Sequence, residues 1–176
     1  PGVTINLATR LVPFDFGIEP FDAAIHYGSS HWPGAVAHHL LDEITVPVCS
    51  PKLKREGRIK RPADLMRTVL LHQTTRTEAW SEWFQMMSVE GPQALRGPRF
   101  EQFAMITQAA ICDLGVALLP KLLIEEELLT GKLVLLFVRP IRSVNAYYLV
   151  VPESKTVSIL PAAFAQWMIS QAKSSN

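Results

Sequence analysis

The sequence predicts an α/β fold in two lobes joined by two extended crossover strands. Two observations carry this expectation. Short apolar or β-branched runs alternate with helical patterns along the chain. In addition, Leu40–Cys49 and Val144–Val151 are long extended runs rich in Val, Leu, Ile and Tyr. The first is too long for an ordinary strand, and Pro47 inside it argues against a central strand throughout. Such a run suits a chain leaving one sheet for another. Lobe one is expected at residues 1–46 plus 150–176, and lobe two at 47–149.

The elements follow in order. Val3–Ala8 alternates and is β-branched, which predicts a strand. Arg10–Pro20 carries Pro13, Gly17 and Pro20 and reads as loop. Phe21–Tyr27 is a short apolar segment closed by Gly28-Ser29-Ser30, which suits a buried strand with a polar loop at its carboxyl end. Trp32-Pro33-Gly34 is a turn signal. A short helix starts at Arg61-Pro62, and Val69–His72 is a brief buried strand. Thr77 is placed as the N-cap of a helix over Glu78–Met87, on which Trp80, Trp83, Phe84 and Met87 share one core-facing stripe.

Gly91–Pro98 is turn-rich, and Arg99–Glu101 is a short strand leading into a helix over Phe103–Cys112. Asp113 is expected in the left-handed region at that helix end, which Asp tolerates better than most residues. Gly115–Leu119 reads as a buried strand, Leu122–Leu129 as a short helix ended by Gly131, and Val134–Val138 as a strand before a loop at Pro140. A final amphipathic helix over Val157–Gln171 should place Leu160, Phe164, Trp167 and Met168 on one side. The Lys173–Asn176 tail should fray.

The bulk numbers exclude several classes. With 176 residues, 48% of them hydrophobic and 19% charged, the chain can bury a substantial core. A net charge of +1 gives no global field for nucleic acid or membrane, and the basic run Lys52–Arg61 reads as a solvated segment beside a helix start. Two cysteines, Cys49 and Cys112, make no disulfide framework and suit a reducing cytosol, hence a cytoplasmic protein with two free thiols. Neither a signal peptide nor an 18-residue apolar run is visible, and a start at Pro1-Gly2 suggests a piece of something longer.

Catalytic and metal constellations are lacking. His38 and His39 are adjacent in an extended run and face opposite sides, so they cannot converge on one metal. H-E-x-x-H, zinc-spaced cysteines, G-x-S-x-G, the Walker-type phosphate loop and G-x-G-x-x-G are all missing. Glu125-Glu126-Glu127 reads as a solvated helix face. The expectation is therefore no enzyme, no cofactor and no metal.

Binding fits better. In two-lobed α/β proteins, loops at strand carboxyl ends converge on the cleft between lobes. Those loops are Gly28-Ser29-Ser30, Thr74-Thr75-Arg76, Glu101-Gln102 and the return crossover near Tyr147. Each taken alone reads more readily as ordinary turn or capping chemistry.

The ordered set YGSSHWPG, LLDEITVPVCSP, RPADL, LLH, W..WF, RF, DLGVALLP, GKLV, YYLV and FAQW resembles the effector-binding domain of LysR-type transcriptional regulators, over essentially the whole chain. It is most similar to the branch holding the glycine-cleavage activator and the β-lactamase-induction regulators. The resemblance implies two Rossmann-like lobes of the type II periplasmic-binding-protein kind. It implies a small-molecule effector bound by Tyr27, Gly28, Ser29, Thr74, Thr75, Arg76, Gln102 and Tyr147, and a homodimer or homotetramer that meets DNA through a winged helix-turn-helix not present in this chain.

Many relatives have Ser where this chain has Gln102 and Phe103, so a simple small-anion effector fits poorly. Relatives also place a strand and a helix ahead of the position of Pro1, so Val3, Ile5 and Leu7 are expected to leave apolar surface open to self-association. The rival readings are a solute-binding protein of a transport system and a module that only dimerises.

Overall fold

The computed structural model describes residues 4–89, 96–137 and 141–174. Two compact units divide the chain, Pro1–Asp42 with Val144–Asn176, and Glu43–Ser143. Strands β2 (Ala35–Cys49) and β7 (Ile141–Pro152) each run from one unit into the other. These breaks fall a few residues ahead of 46/47 and 149/150, because both strands continue unbroken through the passage.

Unit one has the strand order β1-β7-β2, with β1 at Ala24–Gly28 antiparallel to β7, Ala24 opposite Val150 and Gly28 opposite Ala146. Helix α5 (Ile159–Ser174) packs on this sheet through Ala165 and Ala172, which join Leu40, Leu149 and Val151 in the core with Phe164, Met168 and Ile169 at its edge. A second apolar nucleus is aromatic: Phe14 lies 4.9 Å from both Phe16 and Phe21 and 5.3 Å from Trp32, ring centre to ring centre.

Unit two is a three-layer arrangement dictated by strand alternation. Strands β3 (Leu70–Gln73) and β5 (Val116–Pro120) are parallel, β4 (Arg99–Phe100) runs parallel to β3, and β2 pairs antiparallel with β5 and with β6 (Val134–Leu135). Leu70, Val116 and Leu118 face one way, into Trp80, Trp83 and Phe84 of helix α2 (Ala79–Met86). Leu71, Ala117 and Leu119 face the other, into Ile106, Ala109 and Ala110 of helix α3 (Phe103–Ile111). Helices α1 (Pro51–Glu56) and α4 (Glu125–Leu129), with the 3₁₀ turns Pro62–Arg67 and Lys121–Ile124, complete the unit.

Asp113 adopts φ +64°, as its position after α3 requires. Its carboxylate accepts from the Ser50 hydroxyl and, at 3.0 Å, from Lys52 Nζ, and those contacts, Ser50 foremost, hold it below the usual carboxylate range. Ser50 also caps α1 by accepting from the Leu53 amide at 3.0 Å.

Several expectations are corrected. Residues 4–8 form no strand, because none of the described residues pairs with them; Leu7 is 91% exposed, and Val3 lies outside the described residues. The exposed apolar surface at Ile5 and Leu7 is thus not a sheet face. Strand β1 is half-buried rather than buried, since among the described residues it pairs with β7 alone. Pro47 does not interrupt β2: it sits opposite Leu118, and its carbonyl accepts from Leu136 N at 3.0 Å on the other side. Its missing N–H would point to that same side, so the ladder with β5 is untouched.

Thr77 is not a cap. Glu78 holds that position without a side-chain bond, because a turn from Arg76 to Ala79 delivers the chain into α2. Strand β6 stops after two residues, and Val138 and Pro140 lie outside the described residues. On α5 the buried line runs through Ala165 and Ala172, leaving Leu160 and Trp167 61% and 54% exposed. The helix continues through Lys173 and Ser174, while residues 175–176, like 91–95 of the Gly91–Pro98 segment, lie outside the described residues.

Candidate functional site

In unit one, β1 delivers Tyr27, Gly28 and Ser29 to its carboxyl end, and β7 places Tyr147 directly opposite Tyr27. Their ring centres are 5.3 Å apart at an interplanar angle of 56°, a cross-strand aromatic pair. Gly28 lies under the His26 imidazole: a Cβ there would stand 2.4 Å from His26 Nε2, so any other residue displaces the ring. That ring stacks edge-on against Trp32 at 5.0 Å, and burial lowers its pKa, which favours neutral imidazole. Phe14, His26, Gly28, Ser29, His31 and Trp32 border a cavity of about 770 Å³ within this unit.

In unit two the loop after β3 carries Thr74, Thr75 and Arg76. Thr74 N donates to the Phe100 carbonyl at 2.9 Å, which fixes the loop to the end of β4. The Thr74 hydroxyl is buried and has no hydrogen-bond partner among the described residues, so it can still bond an incoming polar group. Gln102 is the N-cap of α3: it bonds nothing through its side chain in that role, while its carbonyl accepts from the Met105 and Ile106 amides. Gln102 is exposed.

Three residues not named as effector contacts organise these loops. Gln73 Oε1 accepts from both the amide and the hydroxyl of Thr75, each at 2.6 Å, while its Nε2 donates to the Glu101 carbonyl at 3.0 Å. One side-chain amide therefore ties the Thr75 loop to the Gln102 loop. Glu43 accepts from Arg76 Nη2 at 3.1 Å, and the Arg76 guanidinium lies 5.8 Å from the centre of the Phe103 ring. An acid inside an apolar crossover run was the available signal for Glu43, and the aromatic in place of the Ser of relatives was the signal for Phe103; Gln73 gave none, because polar residues at strand ends are commonplace.

Chemically, these residues offer hydrogen-bond donors, acceptors and aromatic faces of the kind that can orient a polar ligand. Among the described residues there is no group of three His, Cys, Asp or Glu side chains that could hold a metal ion, and no helix is long and apolar enough to cross a membrane.

The LysR substrate binding domain family model matches residues 1–173. The chain is 35% identical over 173 residues to the glycine cleavage system transcriptional activator of Escherichia coli K12, covering 98% of this chain and 56% of the relative. It is 29% identical over 172 residues to the HTH-type transcriptional activator AmpR of Rhodobacter capsulatus, covering 98% of this chain and 58% of that protein. It thus spans just over half the length of these relatives. The solved effector domain of the transcriptional regulator AmpR of Pseudomonas aeruginosa superposes with a TM-score of 0.87 at 25% identity, over 99% of this chain and 83% of that one.

Proposed function

The chain belongs to the LysR substrate-binding domain family, and from that premise we propose that it is the effector-sensing part of a bacterial, cytoplasmic LysR-type transcriptional regulator. The observation that carries the reading is a family match running through both units, from residue 1 to residue 173. A small molecule engages Tyr27, Gly28, Ser29, Thr74, Thr75, Arg76, Gln102 and Tyr147. It acts as an effector by binding one conformational state better than the other, because a ligand shifts an equilibrium only by its differential affinity for the two states. A winged helix-turn-helix elsewhere in the full-length homo-oligomer converts that shift into altered DNA binding. The role is binding rather than catalysis, and the transport reading is set aside because the named relatives are transcriptional regulators.

The test is a gel shift on the regulator's own promoter. Full-length protein is expected to bind that DNA sequence-dependently and to change its binding with a metabolite. The 176-residue chain, with net charge +1, is expected not to bind it. Nanomolar, sequence-dependent binding by the 176-residue chain contradicts the division of labour.

A further inference from the structure

Arg76 is the one charged side chain among the proposed effector contacts, and a lone arginine at such a site would select carboxylates and phosphates. This arginine is not alone. Its Nη2 donates to Glu43 Oε2 at 3.1 Å, with the Glu43 side chain 3% exposed and that of Arg76 15% exposed. The face of Phe103 lies 5.8 Å from the guanidinium carbon. A carboxylate buried to that degree must stay paired, so it holds the guanidinium even when a ligand arrives. An anionic ligand group would have to share Arg76 with Glu43 across a short, poorly solvated distance, and like charges brought that close disfavour binding. A neutral group meets no such opposition and can still use the Thr74 hydroxyl, which has no hydrogen-bond partner among the described residues.

We infer that Glu43 is a specificity-determining residue of this site: by neutralising Arg76 from the crossover strand it sets the pocket against net-anionic effectors and in favour of net-neutral ones. The inference rests on the proposed effector contacts at Thr74–Arg76 and Gln102. It also accounts for the bulky Gln102 and Phe103 at a helix start where small hydroxyl residues would suit an anion.

The experiment uses acetate and acetamide, which share a shape and differ in charge, titrated at low ionic strength into the 176-residue chain. Backbone amide shifts of Thr75, Arg76 and Gln102 report binding. In the wild type, acetamide is expected to bind at least as tightly as acetate. Glu43→Gln should move the acetate-to-acetamide affinity ratio toward acetate by about tenfold or more, and Glu43→Gln with Arg76→Gln should abolish that gain. An unchanged ratio in Glu43→Gln, or a gain that survives loss of Arg76, overturns the inference while leaving the site reading intact. Should Glu43→Gln not fold, the wild type still decides: acetate bound about tenfold more tightly than acetamide overturns the inference, and acetamide bound as tightly or better upholds it. If neither probe moves those amides in any folded protein, the site reading itself fails, and the inference with it.

Discussion

Tyr27 and Tyr147 stand opposite each other in the antiparallel β1–β7 pair with ring centres 5.3 Å apart. Two residues far apart in sequence thereby form one aromatic wall at the end of the unit-one sheet. Tyr147→Phe keeps the ring contact and deletes only a hydroxyl, so its melting temperature should stay close to wild type. Tyr147→Ala loses a half-buried ring and its partner, and should cost about 1–3 kcal/mol in denaturant unfolding. Equal destabilisation by the two variants would mean that the ring pair contributes nothing.

Gln73 should behave as a site organiser. Gln73→Ala removes two bonds from Thr75 and one to Glu101, all on the surface, and should cost only about 1 kcal/mol of global stability. Amide hydrogen exchange at Thr75 should nevertheless accelerate well beyond what that global loss explains, because local opening of the loop no longer breaks those bonds. Unchanged exchange at Thr75 would show that the loop is held by other contacts.

Asp64 gives an acid limb to stability. Its carboxylate accepts from the Lys60 and Arg61 amides at 2.9 and 3.0 Å and from Arg67 at 2.9 Å, and the bonds from Lys60, then Arg61, hold its pKa down to about 2. A depressed folded-state pKa contributes stability above the unfolded value near 4, and this is lost as pH falls toward 2. Wild type should therefore exceed Asp64→Asn in melting temperature at neutral pH, with the gap closing between about pH 4 and pH 2. A gap independent of pH would assign the effect to hydrogen bonding alone.

The two thiols should separate by reactivity. Cys49 is fully buried, and desolvation pushes its pKa up to about 11, whereas Cys112 is exposed at the end of α3. An aromatic disulfide reagent should titrate one thiol quickly in the native protein and two after denaturation without reductant. A denatured count of zero would mean a disulfide.

The local parts of the fold were legible where one physical signal dominated. The Trp80, Trp83, Phe84 stripe and the left-handed Asp113 are read directly from helical spacing and backbone preference. Non-local pairing was not legible. Val3–Ala8 alternates as a strand should, yet alternation states only what a strand would bury, not whether a neighbour exists to pair with it. Pro47 misled in the opposite direction, because its tolerance depends on which side of β2 its nitrogen faces. Leu160 and Trp167 follow an apolar helical line, but the sheet beneath α5 meets the neighbouring alanine line instead. At the candidate site, residue types on loops were visible from the sequence; the Gln73 bridge and the Glu43–Arg76 pair required the tertiary structure.

The central claim, that an effector engages the proposed contact residues, is tested most directly in the full-length regulator with its reporter promoter and a metabolite panel. Thr75→Val and Tyr147→Phe should each blunt the response to the inducing metabolite, with affinity lower by about 5- to 150-fold where a buried partner group is left unpaired. Basal DNA binding should stay near wild type. Trp83→Ala serves as the contrasting control: it empties a fully buried site and should cost about 3–5 kcal/mol of stability. Normal dose–response curves for both Thr75→Val and Tyr147→Phe with a confirmed effector would contradict the account.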